Sequence, residues 1–178
     1  LDGNGDVIAS SNMETQARSG PAVALGRLME AVRSLLLSRG IPQEKLMALG
    51  IGAAGPLDIG RGTVVQAPNL PGWEGAPIVE ILKGGLGIPV FLENDANLAA
   101  FGEQRLGAGR GTDSLVCFTL GTGIGGGVII DGEIFTGGLG AGAELGHITI
   151  DLEGPPCACG NRGCLEALAS ATAVVRMA

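Results

Sequence analysis

Three of the four cysteines in this 178-residue chain lie within eight residues of one another, and its single histidine precedes them closely. His147 is followed by nine residues and Cys157, by one residue and Cys159, and by four residues and Cys164. Three thiolates and one imidazole form the donor set of a closed structural zinc site, which leaves no coordination position for a substrate. Gly160 and Gly163 give the loop the freedom to fold back on itself. The spacing therefore predicts that this region is built around a structural Zn²⁺ ion.

Two other interpretations of these cysteines and this histidine remain open. A disulfide is one, but any pairing among three close cysteines leaves an odd thiol. A hydrogen-bonded core histidine is the other, and the thiols that follow His147 make it less favoured than it would be for an isolated histidine. Cys117 stands apart in the apolar run 115–118 and is interpreted as a core residue.

Composition narrows the class of protein. Hydrophobic residues make up 46% of the chain, enough for a core, and no apolar run reaches the roughly 18 residues of a membrane span. No secretory signal pattern is visible at the start. The net charge of −7 argues against a broad nucleic-acid surface, which needs a basic face. We therefore expect a cytoplasmic protein without a membrane partner, whose 33 glycines serve tight turns and close approach to ligands.

Strand patterns alternate with helix patterns along the first two thirds of the chain. Helices are predicted at 21–39, 78–83 and 96–105, and strands at 7–9, 46–51, 62–65 and 88–92. This alternation predicts an α/β fold with parallel strands. Ligands of such sheets gather at the carboxyl ends of the strands, so residues 52–58 and the pair Asn94-Asp95 are expected on the same edge.

The glycine-rich stretch 107–111 predicts a hinge, and we place a boundary near residue 108. Residues 1–108 would form a small α/β lobe that lacks its first strand. Residues 109–178 would begin a large lobe with the glycine loop and the metal motif. A hairpin turn at 1–6 without a partner strand, and a final helical segment without a cap, predict a chain truncated at both ends.

The glycine loop at 121–127 formally matches G-x-G-x-x-G through Gly121, Gly123 and Gly126. The dinucleotide fingerprint requires a helix after the loop, whereas strand patterns lie on both sides here, at 114–120 and 127–130. A strand–loop–strand hairpin can still present successive amides to a phosphate, and Thr122 adds a hydroxyl donor. The alternative is a plain glycine-rich hairpin.

Three carboxylates are candidate functional groups. Asp95 stands where a strand gives way to a helix, so it is either a helix N-cap or a general base that takes a proton from a substrate hydroxyl. Glu144 and Glu166 flank the metal ligands. They are either surface charges or acceptors for neighbouring sugar hydroxyls, held in fixed geometry by the metal loop.

These motifs resemble those of the ROK family (repressors, open reading frames and sugar kinases). The resemblance rests on Leu92-Glu93-Asn94-Asp95-Ala96-Asn97, on the glycine loop 121–127, on Glu144-Leu145-Gly146-His147 and on the Cys157-to-Glu166 segment, with Pro68-Asn69-Leu70 and Trp73 in support. They occur in the expected order over nearly the whole chain. The chain is most similar to the bacterial members that phosphorylate glucose.

The resemblance implies a two-lobe, actin-like (ribonuclease-H-like) ATPase fold that uses ATP and Mg²⁺ to phosphorylate a hexose at its 6-hydroxyl, with glucose preferred. It implies a homo-oligomer, a dimer or a tetramer. By position, Asp95 is the catalytic base, and His147, Cys157, Cys159 and Cys164 hold zinc. The resemblance also implies that the sugar is bound by Asn94, Glu144, His147 and Glu166, with Asn69 and Gly55 as further candidates. Gly121, Thr122, Gly123 and Gly125 fall on the second phosphate motif.

The sequence also departs from the family pattern. The first phosphate motif and the part of the large lobe that completes the adenosine pocket have no counterpart in residues 1–178, so we predict that this stretch alone is inactive. Ala54 stands where many members have proline. The alternatives are a sugar-responsive repressor of the same family, a kinase for fructose, mannose or an N-acetylhexosamine, and a zinc-stapled interaction module.

Overall fold

The structure is a computed structural model, which describes residues 1–65, 70, 72–138, 140 and 142–177. It divides into two compact units, Leu1–Asn94 and Asp95–Ala178. The division falls between a strand and the helix that follows it directly in the chain. The boundary between lobes expected near residue 108 stays a prediction.

The first unit combines two helices with two pairs of strands. Helix α1 (Pro21–Ser38) and helix α2 (Ile78–Leu86) pack against each other. Strands β1 (Leu49–Ala53) and β4 (Val90–Asn94) form a parallel pair, and the short strands β2 (Leu57–Asp58) and β3 (Thr63–Val64) form an antiparallel pair. The predicted helices and the parallel pairing are confirmed.

Local signals explain where these helices begin and end. Pro21 occupies the first turn of α1, where its missing N–H costs nothing, and Gly40 follows the helix with a positive φ of 62°. Gly87 adopts the left-handed conformation after α2 and donates its N–H to the Lys83 carbonyl at 2.9 Å. Among the described residues, no helix has both the length and the apolar character that a bilayer crossing requires.

The core of the first unit lies between the helices and the parallel strands. Ile78 and Leu82 of α2 are fully buried against residues of α1, β3, β1 and β4. In the parallel pair, Ala53 is the register partner of Asn94. The loop after β1 and the end of β4 therefore lie on the same edge, as predicted for residues 52–58 and Asn94.

Two strand predictions in this unit need correction. Residues 7–9 form no strand, and Val7 is 69% exposed, because an extended segment becomes a strand only by pairing. The strand expected at 46–51 runs instead from Leu49 to Ala53, after a 3₁₀ turn at Gln43–Lys45. Likewise β4 extends to Asn94, two residues beyond the expected end.

The second unit is an antiparallel sheet with helices. Strands β5 (Leu115–Leu120), β6 (Ile124–Ile130) and β7 (Glu133–Ile134) pair in that order. Helix α3 (Asp95–Leu106) packs on β5 and β6. A 3₁₀ turn at Leu145–His147 also contacts β6, and α4 (Leu165–Ala169) and α5 (Ala171–Met177) follow.

The glycine loop is shorter than predicted. Only residues 121–123 form the turn, and Gly125, Gly126 and Gly127 lie within β6, paired with β5. A Cβ on Gly127 would lie 2.8 Å from the Ala96 carbonyl oxygen, and one on Gly126 would lie 2.6 Å from the Leu145 side chain. The strand glycines therefore allow α3 to approach one face of the sheet and the 3₁₀ turn to approach the other.

Candidate functional site

The four predicted metal ligands converge in the second unit. The Nδ1 atom of His147 lies 3.6 Å from the Cys157 Sγ, and the Sγ atoms of Cys159 and Cys164 lie 3.7 Å apart. All four ligand atoms lie within 4.8 Å of one another. Zinc bonds of about 2.3 Å to sulfur and about 2.0 Å to nitrogen, in a tetrahedron, separate two sulfurs by about 3.8 Å and a sulfur from a nitrogen by about 3.5 Å. The donor set and its spacing therefore fit Zn²⁺.

Backbone geometry brings these side chains together. His147 ends the 3₁₀ turn, and Cys164 is the residue immediately before α4. Cys157 donates its N–H to the Asn161 carbonyl at 2.8 Å, which closes the loop between them. Gly160 and Gly163 have positive φ angles of 97° and 61°, and the Asp151 carbonyl occupies the space that a Gly163 side chain would need. Both glycines thus have the role that the sequence predicted.

The thiols differ in their surroundings. The side chain of Cys164 is fully buried, and burial raises its pKa to about 11. Cys159 is exposed, and a hydrogen bond with the backbone of Asn161 lowers its pKa. All four cysteines are free thiols in the structure, so the disulfide alternative has no support. Metal binding would have to displace the Cys164 proton, because a thiol ligates zinc as the thiolate. Cys117, by contrast, is half-buried on β5 and takes no part in the cluster.

Glu166 lies against the glycine turn. Its Oε2 accepts a hydrogen bond of 2.8 Å from the backbone N–H of Ile124, and it fills the space beside Gly123 where a Cβ would stand. The carbonyl oxygen of Ile124 occupies the space that a Cβ on Gly146 would need. The first residue of β6 is therefore enclosed between the segments that carry His147 and Glu166.

Two further hydrogen bonds join the turn to the start of α5. The Ala171 N–H donates to the Gly121 carbonyl at 2.9 Å, and the Thr172 Oγ1 donates to the Thr122 carbonyl at 2.8 Å. Sequence reasoning missed both, because Ala171 and Thr172 stand 50 residues from their partners and belong to no motif. The turn and the metal loop also line an open cavity of about 190 Å³, together with Glu166 and Arg176.

The other candidate residues occupy the positions that their local sequence predicts. Asp95 is exposed at the first residue of α3, where its Oδ1 accepts the Ala96 N–H at 2.9 Å. The N-cap alternative places Asp95 just before the helix, whereas here it is the first helical residue and accepts the N–H of the residue that follows it. Asn94 is the last residue of β4. Their catalytic and sugar-binding roles stay predictions.

Of the remaining sugar candidates, Glu144 is exposed just before the 3₁₀ turn, and its carbonyl accepts the His147 N–H at 3.0 Å. Gly55 has a positive φ of 90° in the loop after β1. Asn69 lies outside the described residues, so its predicted sugar contact has no structural counterpart here. Of the predicted site residues, the structure brings the four metal ligands together. It also places Glu166 against the glycine turn.

Residues 5–178 match the family model described as the ROK family, and the chain belongs to this family. It is 44% identical, over 97% of its length, to a glucokinase from Thermotoga maritima. Among solved structures, a ROK hexokinase from Thermus thermophilus superposes with a TM-score of 0.82 at 44% identity, covering 93% of this chain and 53% of that one. A ROK family glucokinase from Streptomyces griseus, in complex with glucose and AMPPNP, gives 0.76 at 41% identity, covering 99% and 54%.

These similarities confirm the predicted fold class, the α/β, two-lobe, actin-like ATPase fold of the ROK sugar kinases. The chain spans about half the length of the relatives it matches, 53% in the case of the Thermotoga protein. Repressors of the family also match: a putative xylose repressor from Caldicellulosiruptor is 33% identical over 97% of this chain and 43% of its own length. The relatives therefore include both kinases and regulators.

Proposed function

We propose that the full-length protein transfers the γ-phosphoryl group of ATP, with Mg²⁺, to the 6-hydroxyl of a hexose, preferentially glucose. The main support is the 44% identity to a glucokinase over 97% of the chain. The similarity to a glucokinase solved with glucose and AMPPNP supports glucose as the acceptor and, because AMPPNP is an analogue of ATP, ATP as the donor. The chemistry would take place in the cytoplasm, a reducing compartment in which the three ligand thiols stay available to zinc. A dimer or tetramer is part of the proposal.

The sugar would be bound by Asn94, Glu144, His147 and Glu166, with Asn69 as a further contact. Because the Nδ1 of His147 faces the cysteines, its Nε2 is the nitrogen left to meet a sugar hydroxyl. Carboxylates such as Glu166 accept hydrogen bonds from neighbouring hydroxyls, and an acceptor held in place loses less conformational entropy on binding. Zinc, when bound, supplies rigidity to this loop, since its four protein ligands complete the coordination.

Asp95 would take the proton of the attacking hydroxyl. In protein kinases a positioned aspartate accepts the proton of the acceptor hydroxyl, and Asp95 is an exposed carboxylate that could take the same role. Gly121, Thr122, Gly123 and Gly125 are the proposed phosphate contacts. The exposed turn offers the backbone N–H and the hydroxyl of Thr122, whereas the Gly121 N–H donates to the Gly123 carbonyl at 2.9 Å and would have to exchange that partner for phosphate. Gly125 lies in β6, just beyond the turn.

The test is a coupled phosphorylation assay on the full-length protein with glucose, fructose, mannose and N-acetylhexosamines. We expect turnover with glucose, and loss of turnover with retained glucose binding in Asp95→Asn. The variant keeps an oxygen for the Ala96 N–H, so the start of α3 should be preserved. Asp113→Asn, at an exposed carboxylate before β5, is the matched control. Full activity of Asp95→Asn would make Asp95 a helix-start residue only.

A sugar-responsive repressor is the second candidate, and the similarity to xylose repressors supports it. A regulator would bind a DNA operator and release it in the presence of sugar. A gel-shift assay with the promoter region of the protein's own gene, with and without glucose or xylose, separates the two functions. Sugar-dependent DNA binding without phosphorylation would favour the repressor over the kinase.

A further inference from the structure

We propose that metal binding by His147, Cys157, Cys159 and Cys164 fixes the glycine turn 121–123 as well as the sugar-binding carboxylates. The connection runs through α4 and the first two residues of α5. The inference rests on the proposed function only where it assigns the turn to nucleotide phosphate. The coupling between the metal loop and the turn is a separate physical claim.

The turn is held by one short segment of chain. Glu166 accepts the Ile124 N–H at 2.8 Å, Ala171 donates to the Gly121 carbonyl at 2.9 Å, and Thr172 donates to the Thr122 carbonyl at 2.8 Å. These three partners lie within seven consecutive residues, 166–172. Gly123, the remaining residue of the turn, lies against the Glu166 side chain and leaves no space for a Cβ. A displacement of this segment would therefore move every residue of the turn.

The same segment begins at a metal ligand. Cys164 directly precedes α4, is fully buried, and donates its Sγ–H to the His147 carbonyl at 3.5 Å. Leu165, the first residue of α4, donates its N–H to the Ile148 carbonyl at 3.0 Å. A helix of five residues is too short to persist by its own hydrogen bonds, so its position depends on its tertiary contacts, which include the 3₁₀ turn that carries His147. At this start, two of the nearest groups are the metal ligands Cys164 and His147.

It follows that Thr172 is a positioning residue for the phosphate turn. Gly121 and Thr122 are exposed, and phosphate contacts from an exposed turn require that its amides already point in the right direction. The Thr172 hydroxyl restrains the Thr122 peptide by donating to its carbonyl at 2.8 Å. Loss of the metal should accordingly weaken the binding of nucleotide as well as that of sugar.

The first experiment measures amide hydrogen exchange in the zinc-loaded protein and after chelation. We expect the Ile124 amide to lose protection at least tenfold on chelation, while amides of the parallel pair β1 and β4, in the other unit, keep theirs. The β1 and β4 amides control for global unfolding. Unchanged protection of Ile124, with faster exchange at Cys157 and Gly160, would overturn the coupling. This readout does not require kinase activity, so it stays informative if the proposed function fails.

The second experiment leaves the metal ligands intact. Thr172→Val removes the hydroxyl that binds the Thr122 carbonyl, and Thr172→Ser retains it. In the full-length, zinc-loaded protein, we expect Thr172→Val to raise the KM for ATP about fivefold, the factor that corresponds to one typical net hydrogen bond. The KM for glucose and the zinc content should stay unchanged, and Thr172→Ser should restore the KM for ATP. Equal changes in both KM values, or no rescue by serine, would contradict the positioning role.

Discussion

The backbone N–H of Ile124 donates to the carboxylate of Glu166 at 2.8 Å, across 42 residues of sequence. Ile124 is buried and its hydrogen bond to Glu166 is part-buried, so this N–H depends mainly on its protein acceptor. A residue that the family resemblance assigns to the sugar therefore also satisfies the first amide of β6. Glu166 thus has a structural role that can be separated from ligand binding.

Substitution of Glu166 should separate these two roles. Glu166→Ala leaves the buried Ile124 N–H without its acceptor, which should lower the free energy of unfolding by about 1–3 kcal/mol. Glu166→Gln keeps a carbonyl oxygen at this position and should cost much less. Urea unfolding measures the difference. Because both variants lose the charged acceptor for sugar hydroxyls, calorimetry should show weakened glucose binding in each. Equal stability of the two variants would show that the Ile124 hydrogen bond contributes little.

Zinc content should depend on the clustered cysteines and not on the isolated one. Cys164→Ser replaces a buried sulfur that lies 3.7 Å from the Cys159 Sγ. Serine is a poor ligand for zinc, so the bound metal should fall from about one ion per chain to a small fraction of that. Cys117→Ser is the matched control, since Cys117 is half-buried on β5 and lies outside the cluster. Elemental analysis of dialysed protein checks both. Retention of metal by Cys164→Ser would exclude it as a ligand.

Proline and glycine residues at the ends of elements made much of the fold predictable. Pro21 and Gly40 bracket α1, and the structure ends the helix at Ser38, one residue before the predicted end. The metal cluster was equally accessible to sequence reasoning, because its ligands are chemically rare residues at short spacing. The helix-end residues and the ligand spacing are both local in the sequence, so a single sequence is enough to predict the helix and the cluster.

The glycine loop shows where such reasoning fails. The sequence predicts a glycine loop over 121–127 with the second strand starting at Gly127, yet Gly125 and Gly126 already pair with β5 as part of that strand. The reason lies in distant residues: Ala96 and Ala100 of α3 and Leu145 of the 3₁₀ turn approach the strand so closely that side chains on it would clash. The contacts of Thr172 and Glu166 with the turn are tertiary in the same sense. No local pattern reports these contacts: Thr172 belongs to no motif, and the motif that contains Glu166 does not indicate the turn as its partner.

The interior of the first unit should be sensitive to cavity formation at Leu82. This side chain is fully buried in the cluster formed by α1, α2 and the strands. Leu82→Ala should lower the free energy of unfolding by about 2–5 kcal/mol, through lost burial and a residual cavity. Leu37→Ala, at an 83% exposed position of α1, should change it by less than about 0.5 kcal/mol. Thermal and urea unfolding compare the two, and a similar cost for both would contradict this core.

The close packing of α3 on β6 leads to a last prediction, on two glycines of the second unit. A Cβ on Gly127 would lie 2.5 Å from the Ala100 Cβ and 2.8 Å from the Ala96 carbonyl oxygen. The backbone atoms cannot move away without shifting α3, so Gly127→Ala should lower the free energy of unfolding by about 1–3 kcal/mol.

Gly102→Ala, within α3 itself, is the matched control, because a Cβ there would meet nothing within 4 Å. Alanine is the better helix former, so this variant should gain about 0.5–1 kcal/mol. The two substitutions are chemically identical and should shift the midpoint of urea unfolding in opposite directions. A stabilised Gly127→Ala would mean that β6 and α3 lie further apart than in the structure, and that Gly127 is free to serve a ligand instead of the packing.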